Sequence, residues 1–524
     1  MSLSPLRLLR RKQLPHNRRR APILLVHPPW FRLQGSNLIP YPSGPCFVAG
    51  NLEQAGLDAL VWNGDFDRRE TLSMGGTNPL NTAELVNAHA RLVEALANDR
   101  DPCWLELRSI LELVRPRVVG ISSYSASYDS ARRVAELVKA HDPSIVTVLG
   151  GMHATIARGD ILRSTPAFDV LVVGESERSV PPLFSRLLAG QTGKALCDIQ
   201  GLILRIDGEI VSTGAPVRVE NLDEVPWPAR HRMIDLDKMP PVAHQPVFGY
   251  RGCPYRCVFC GSHNIFGRRP RLRSAANMVD ELAHVHEKYG TKYFYICDDL
   301  FLYDEDRVRT FCALVRARKL PIYYTIQTRA EMVDEELLPL LKASGCQHLA
   351  VGVEVGDEEI RRKIQKGNTN DQVRRAAQLT RKHGLRMSGF FMFGFPWETR
   401  ETMEKTLAFM KELDPCVAFP YIVTPAQGTE LLNIAREMNL IPAALDMSSF
   451  AHTSPKMGLT QNLSEEEKQQ LIDKILAAFT RHNRKSFLRD IFRRPLFYLY
   501  AAHDAGLLGS RQAVLRKVKE LIEL

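Results

Sequence analysis

The sequence has no run of about 18 or more apolar residues, so nothing in it reads as a transmembrane helix. No signal-type apolar core follows its Arg-rich start; the stretch Pro22–Val26 is too short and reads better as a strand. Internal repeats and low-complexity segments are absent, which excludes solenoids and long disordered tracts. Cysteine is sparse: ten in 524 residues do not make a secreted disulfide scaffold. The expected compartment is cytoplasmic. An organellar transit peptide is also Arg-rich and acid-poor, so that reading stays open.

Acidic residues are outnumbered, 59 against 69 basic ones, but the excess is local. Residues 1–20 hold seven Arg or Lys and no acid, and residues 481–524 carry a net charge of +6. The body is slightly acidic. A basic tail is either simply solvated or rests on an anionic membrane surface. No RNA-recognition module is present and the basic residues avoid the body, so the sequence offers no evidence for nucleic-acid binding.

What is present is a chain long enough for about three domains. After a basic tail (1–21), residues 22–195 alternate between strand and helix patterns. Strands are expected at Ile23–His27, Ala59–Trp62, Val118–Ser122, Val146–Gly150 and Val170–Val173, with helices at Phe47–Gln54, Tyr128–His141 and Val180–Leu188. This rhythm predicts an α/β, doubly wound (Rossmann-like) parallel sheet, whose ligands sit at the carboxyl ends of the strands. Those ends read Ser122-Ser123-Tyr124, Gly150-Gly151-Met152-His153 and Gly174-Glu175. Residues 68–108 look like an insertion with its own helices. A linker (196–243) contains a hairpin around Asp207-Gly208 and a Pro-rich connector. Residues 244–435 alternate again, with strands at Pro246–Tyr250, Tyr293–Cys297, Ile322–Gln327, His348–Val353, Ser388–Phe393 and Ala418–Tyr421, as in a full or partial β/α barrel. Residues 436–524 read as mainly helical. There Ser464 and Glu467 form a capping box, and Leu471, Ile472, Ile475, Leu476 and Phe479 share one face.

The chemistry concentrates at Gly252-Cys253-Pro254-Tyr255-Arg256-Cys257-Val258-Phe259-Cys260. Three thiolates this close suit three corners of a cuboidal 4Fe–4S cluster, leaving one iron free for a ligand. A Cys3His zinc site using His263 is the alternative.

These residues resemble the signature of the radical S-adenosylmethionine (SAM) superfamily. The resemblance implies that the free iron chelates SAM, whose reductive cleavage yields a 5′-deoxyadenosyl radical. It carries over residue by residue. Phe259 matches an aromatic against the adenine, and Asp298 and Asp299 match polar contacts to the methionine amino group. Arg329 is a candidate near the carboxylate, and Glu354 matches a contact to the ribose or methionine part. The strand from Gly389 to Gly394 resembles one that lies along the adenine. No catalytic residue is assigned beyond these contacts. An electron donor such as flavodoxin or ferredoxin is implied.

The front domain resembles the cobalamin-binding domains fused to such enzymes. Ser122, Gly150, Gly151, His153, Gly174 and Glu175 fall at the implied cobalamin contacts, with an ordinary loop histidine as the default reading of His153. The Asp-x-His-x-x-Gly motif that supplies an imidazole to cobalt is absent. A vestigial domain without cofactor is the alternative. The leading expectation is a cobalamin-dependent methyltransferase acting on an unactivated carbon of a small-molecule or lipid-like substrate. A radical oxidoreductase or cyclase of the same architecture, resembling the magnesium-protoporphyrin monomethyl ester cyclase group, is the second reading. A non-catalytic cofactor carrier or nucleic-acid-binding protein is the third.

Overall fold

The computed structural model describes residues 17–35, 40–67, 82–441 and 459–494. Most of the basic N-terminal tail, the start of the 68–108 region and the C-terminal stretch from residue 495 lie outside the described residues.

Five short apolar runs form parallel strands: β1 (Ile23–His27), β2 (Ala59–Asn63), β3 (Val118–Ser122), β4 (Val146–Gly150) and β5 (Val170–Val172). Their side chains are almost continuously buried, as a parallel sheet covered by helices on both faces requires. The spatial order β2-β1-β3-β4-β5 puts a topological switch between β1 and β3, and ligand crevices open at such switches. The hairpin assigned above to the linker belongs to this sheet instead. β6 (Leu202–Ile206) pairs antiparallel with β5, and β7 (Glu209–Ser212) forms the edge. Asp207 and Gly208 turn it at φ +51 and +87, the left-handed values a two-residue hairpin needs.

The 68–108 region needs a second correction. The helix Pro102–Val114 is no insertion; it is part of the crossover between β2 and β3. Trp104, Leu107, Ile110, Leu111 and Val114 are buried against the face of the sheet that carries Leu24 and Val26.

The second half forms a six-stranded parallel sheet that stays open, a partial barrel. In order of sequence come β8 (Pro246–Val247), β9 (Tyr250–Arg251), β10 (Arg271–Leu272), β11 (Tyr293–Ile296), β12 (Tyr323–Thr328), β13 (Cys346–Glu354), β14 (Arg386–Phe393) and β15 (Val417–Ile422). The sheet runs β15-β14-β13-β12-β11-β8, while β9 and β10 pair separately as an antiparallel ribbon. The single strand expected at Pro246–Tyr250 is therefore broken. The break falls at Phe248-Gly249, where a Cβ on Gly249 would lie 2.3 Å from the Met278 sulfur.

Open sheets leave an edge with unpaired backbone groups. At β15 the side chain of Asn483 accepts from the Ala418 N–H and donates to the Ala418 carbonyl, both at 2.8 Å. Asn483 lies on the helix Glu465–Arg493, which the Ser464–Glu467 capping box starts as expected. The predicted apolar face of this helix is buried, with Phe479 edge-on to Phe391 and Phe393.

A buried carboxylate joins the halves. Glu281, on the helix Ala275–Tyr289, accepts from Arg230 of the connector at 2.8 Å and from Arg273 at 2.6 Å. Arg230 also donates to the Tyr41 hydroxyl of the front domain at 3.0 Å. Burial raises the Glu281 pKa, but the two guanidinium groups outweigh it and the net shift is downward. Glu281→Ala would strand two buried cations, at a cost of about 3–5 kcal/mol. A melting temperature lowered by several degrees is expected; an unchanged one contradicts the role.

Candidate active site between the two sheets

The cysteine loop closes the β9–β10 ribbon. Gly252 starts it at φ +91, where a Cβ would lie 2.4 Å from the Arg269 carbonyl, so only glycine fits. The Val258 N–H donates to the Ile364 carbonyl at 3.1 Å, and the Leu431 N–H to the Val258 carbonyl at 2.8 Å. Val258 itself is buried with Val355, Ile360 and Phe395. The loop is thus pinned in its middle, and Cys253, Cys257 and Cys260 are left half-buried.

Burial raises the Cys253 thiol pKa and pushes Cys260 up to about 11, so iron must displace their protons on binding. Among the described residues, no three His, Cys, Asp or Glu side chains converge on a single-ion position. Three thiols spaced over eight residues suit a cluster, where each corner iron takes one thiolate.

The expected SAM contacts separate into two groups. Asp299 opens into the cavity described below; Ser262 donates to it at 3.0 Å, and desolvation in the cleft raises its pKa. Glu354 stands at a bulge at the end of β13 with φ +64, a strained backbone for a non-glycine residue. Its carboxylate accepts from Lys366 at 2.7 Å over Gly352, where any Cβ would collide with both. Phe259 packs half-buried, 6.0 Å from Phe395. Gly394 turns at φ +96 and donates to Glu398 at 2.7 Å.

Three expectations need correction. Asp298 does not face a ligand: it is buried, accepting from the Gly249 N–H and from Arg307 at 3.1 Å. Arg329 is committed to the cysteine loop rather than to a carboxylate in the cavity. Its guanidinium stacks 3.6 Å over the Tyr255 ring, pairs with Glu331 and points one nitrogen at the Cys257 sulfur, 3.6 Å away. A cation there favours the more reduced, more negative cluster. Gly389 serves packing, since a Cβ would lie 2.6 Å from the Phe391 ring.

On the front domain, Ser122, Gly150, Gly151 and Gly174 line one cavity of about 400 Å³. Cys297, Asp299, Ser262 and Tyr250 line the same cavity from the barrel side. Gly44 and Gly150 present bare backbone to it, with almost nothing within contact of an added Cβ. Ser123 and Tyr250 each bury a hydroxyl on its wall without a hydrogen-bond partner. Unpartnered buried donors beside open glycine backbone fit a bulky group with a polar periphery, as cobalamin is. Cys297, Tyr250 and Lys366 escaped the sequence reading, because single residues at strand ends or, for Lys366, in the loop after the helix Glu358–Lys363 carry no pattern.

Of the residues at the implied cobalamin contacts, two are engaged elsewhere, His153 as its default structural reading expects. His153 does not line the cavity; it packs 4.2 Å from the Tyr128 ring and shares a hydrogen bond with Ser125 at 3.1 Å. Glu175 reaches the cavity wall, but its carboxylate is taken up by Arg251 and Arg271.

Loss of any one of Cys253, Cys257 or Cys260 to alanine is expected to cut cluster iron and the brown absorbance several-fold; full iron content in such a variant contradicts the assignment. Burial holds the His153 pKa down to about 4, against 6.5 when exposed. As pH falls through that window the unfolded chain takes up the proton first, so stability is present above pH 6.5 and lost toward pH 4. His153→Gln should flatten the fall of melting temperature there in part, since His348, held to about 3, titrates in the same sense. It should leave cobalamin retention unchanged, and a loss of retention would restore His153 as a contact.

Residues 247–410 match the radical SAM superfamily model, and residues 88–183 match the B12 binding domain model. An uncharacterized methyltransferase of Pyrococcus horikoshii is 30% identical over 414 residues, covering 79% of this chain and 88% of that protein. The anaerobic magnesium-protoporphyrin IX monomethyl ester cyclase of Rubrivivax gelatinosus is 26% identical over 437 residues, covering 81% and 75%. The radical SAM methyltransferase TsrM of Kitasatospora setae, solved with tryptophan substrate and a SAM analogue, shares the fold. It aligns at a TM-score of 0.60 and 18% identity over 80% of this chain and 77% of that one. A B12-binding domain ahead of a radical SAM domain, matched along most of a methyltransferase of the same length class, places this chain in the cobalamin-dependent radical SAM methyltransferase family.

Proposed function

We propose that the enzyme transfers a methyl group to an unactivated carbon of a small-molecule or lipid-like substrate. The observation that carries this reading is the single cavity lined from both sheet mouths. When bound, the cluster with SAM supplies a 5′-deoxyadenosyl radical and the corrinoid supplies the methyl group. Cys253, Cys257 and Cys260 would hold the cluster, while Ser122, Gly150, Gly151 and Gly174 would border the corrinoid. Asp299 and Glu354 are the carboxylates suited to the ammonium and hydroxyl groups of SAM. Phe47, Phe248 and Phe266 supply apolar lining that excludes water and suits an apolar substrate portion.

Exposed Arg256, within the cysteine loop, and Arg268, after it, suit an acidic one-electron donor such as flavodoxin or ferredoxin. Among the described residues no helix is long and apolar enough to cross a membrane. Phe492 and Leu488, 83% and 51% exposed beside Arg489 and Arg493, support peripheral contact with an anionic membrane.

The cyclase relative supports a second reading, ring oxidation or closure without methyl transfer. Product mass separates the two. Reconstituted protein given methyl-labelled SAM, cobalamin, a reductant and panels of isoprenoid, lipid and tetrapyrrole substrates is expected to yield a product heavier by one labelled methylene unit. Deoxyadenosine accompanied only by products that have lost hydrogen or gained oxygen would overturn methyl transfer.

A further inference from the structure

Glu175 lies on the loop after β5, beside Gly174, whose φ of +70 and contact with Pro216 leave no room for a Cβ. The Glu175 side chain is 1% exposed. One carboxylate oxygen accepts from Arg251 at 2.8 Å and from Arg271 at 3.0 Å; the other pairs with Arg271 again. Arg251 and Arg271 are cross-strand partners in the β9–β10 ribbon. That ribbon is the base of the cysteine loop, so one carboxylate from the front domain grips both ends of the loop that carries the three thiols. Arg251 spends its other nitrogen on Glu177 at 2.6 Å, and Arg271 also donates to the Val219 carbonyl at 2.6 Å. Three cations meet two carboxylates, since Arg218 also approaches Glu175 at 4.0 Å, and Glu175 and Arg271 are buried between the two sheets.

Buried ion pairs of this kind add little stability over apolar packing, but removing one partner is costly, so their yield is fixed geometry. Glu175 lines the same cavity as Gly150 and Gly151, while Arg251 stands two residues before Cys253. We infer that Glu175 is a positioning residue that fixes the cysteine loop, and with it the cluster, against the cobalamin-binding face of the front domain. Its carboxylate oxygens are engaged by Arg251 and Arg271, through which it acts. This role rests on the two-cofactor reading above.

The test compares wild-type protein, reconstituted with iron, sulfide and cobalamin, with Glu175→Gln and Glu175→Asp. Glu224→Gln, which breaks an exposed pair with Arg178, is the control. Cluster iron and corrinoid are quantified first. The spin–spin interaction between the reduced cluster and cob(II)alamin is then read by pulsed electron paramagnetic resonance. Wild type and the control are expected to give one narrow splitting. Glu175→Gln should broaden its distribution at least twofold at near-normal cluster content, with Glu175→Asp intermediate. A wild-type splitting in Glu175→Gln overturns the role. If Glu175→Gln fails to assemble a cluster, Glu175→Asp decides, and a wild-type splitting there overturns it. If wild-type protein retains no corrinoid, the two-cofactor reading falls. The clamp is then decided by amide hydrogen exchange over residues 250–272, expected to quicken at least tenfold in Glu175→Gln and overturned if unchanged.

Discussion

The carboxylate of Glu175, buried between Arg251 and Arg271, ties the front domain to the ribbon that carries the cysteine loop. One hydrophobic core runs through both halves, and the chemistry requires them face to face. The same logic recurs at Glu281, where Arg230 of the connector and Arg273 of the barrel share a second buried carboxylate. The Glu175 contacts span 76 and 96 residues of sequence and the Arg230–Glu281 contact spans 51, and in both places the guanidinium forks take up the carboxylate oxygens. Such pairs cost desolvation and return directionality.

From this constraint the cavity follows. Parallel strands bring loops to their carboxyl ends, and here both sets of ends open on one space. The front sheet supplies bare glycine backbone and an unpartnered hydroxyl. The barrel side supplies Gly252 and Ser262, which bracket the three cysteines, with Asp299 and a second unpartnered hydroxyl at Tyr250. Arg329 adds a positive charge at the Cys257 sulfur from a guanidinium already anchored by Glu331 and Tyr255. The polar wall is thus preorganised, while Phe47, Phe248 and Phe266 line part of the remainder.

Much of the fold is legible in the sequence because parallel strands must be apolar on both faces. β1, β3 and β4 stand where their continuous apolar runs predict them. The cysteine loop is legible because ligand spacing is local. What depended on distant contacts was misread. Trp104, Leu107, Leu111 and Val114 carry helical periodicity, yet nothing local says that the sheet lies beneath them. The break at Gly249 answers to Met278, and Asp298 answers to Arg307 and the Gly249 N–H. Glu175 and Asp298 stand at strand ends, where ligand contacts are expected; only their partners in space reveal that both are structural. Asp207-Gly208 announced its hairpin, but not the sheet that it would join.

The central claim is that three thiolates hold a cluster whose free iron meets SAM inside the cavity that also receives cobalamin. The most direct measurement is the electron paramagnetic resonance spectrum of the reduced, corrinoid-loaded protein before and after addition of SAM. A cluster signal that shifts and sharpens as SAM occupies the free iron is the predicted result; a signal indifferent to saturating SAM would contradict the account.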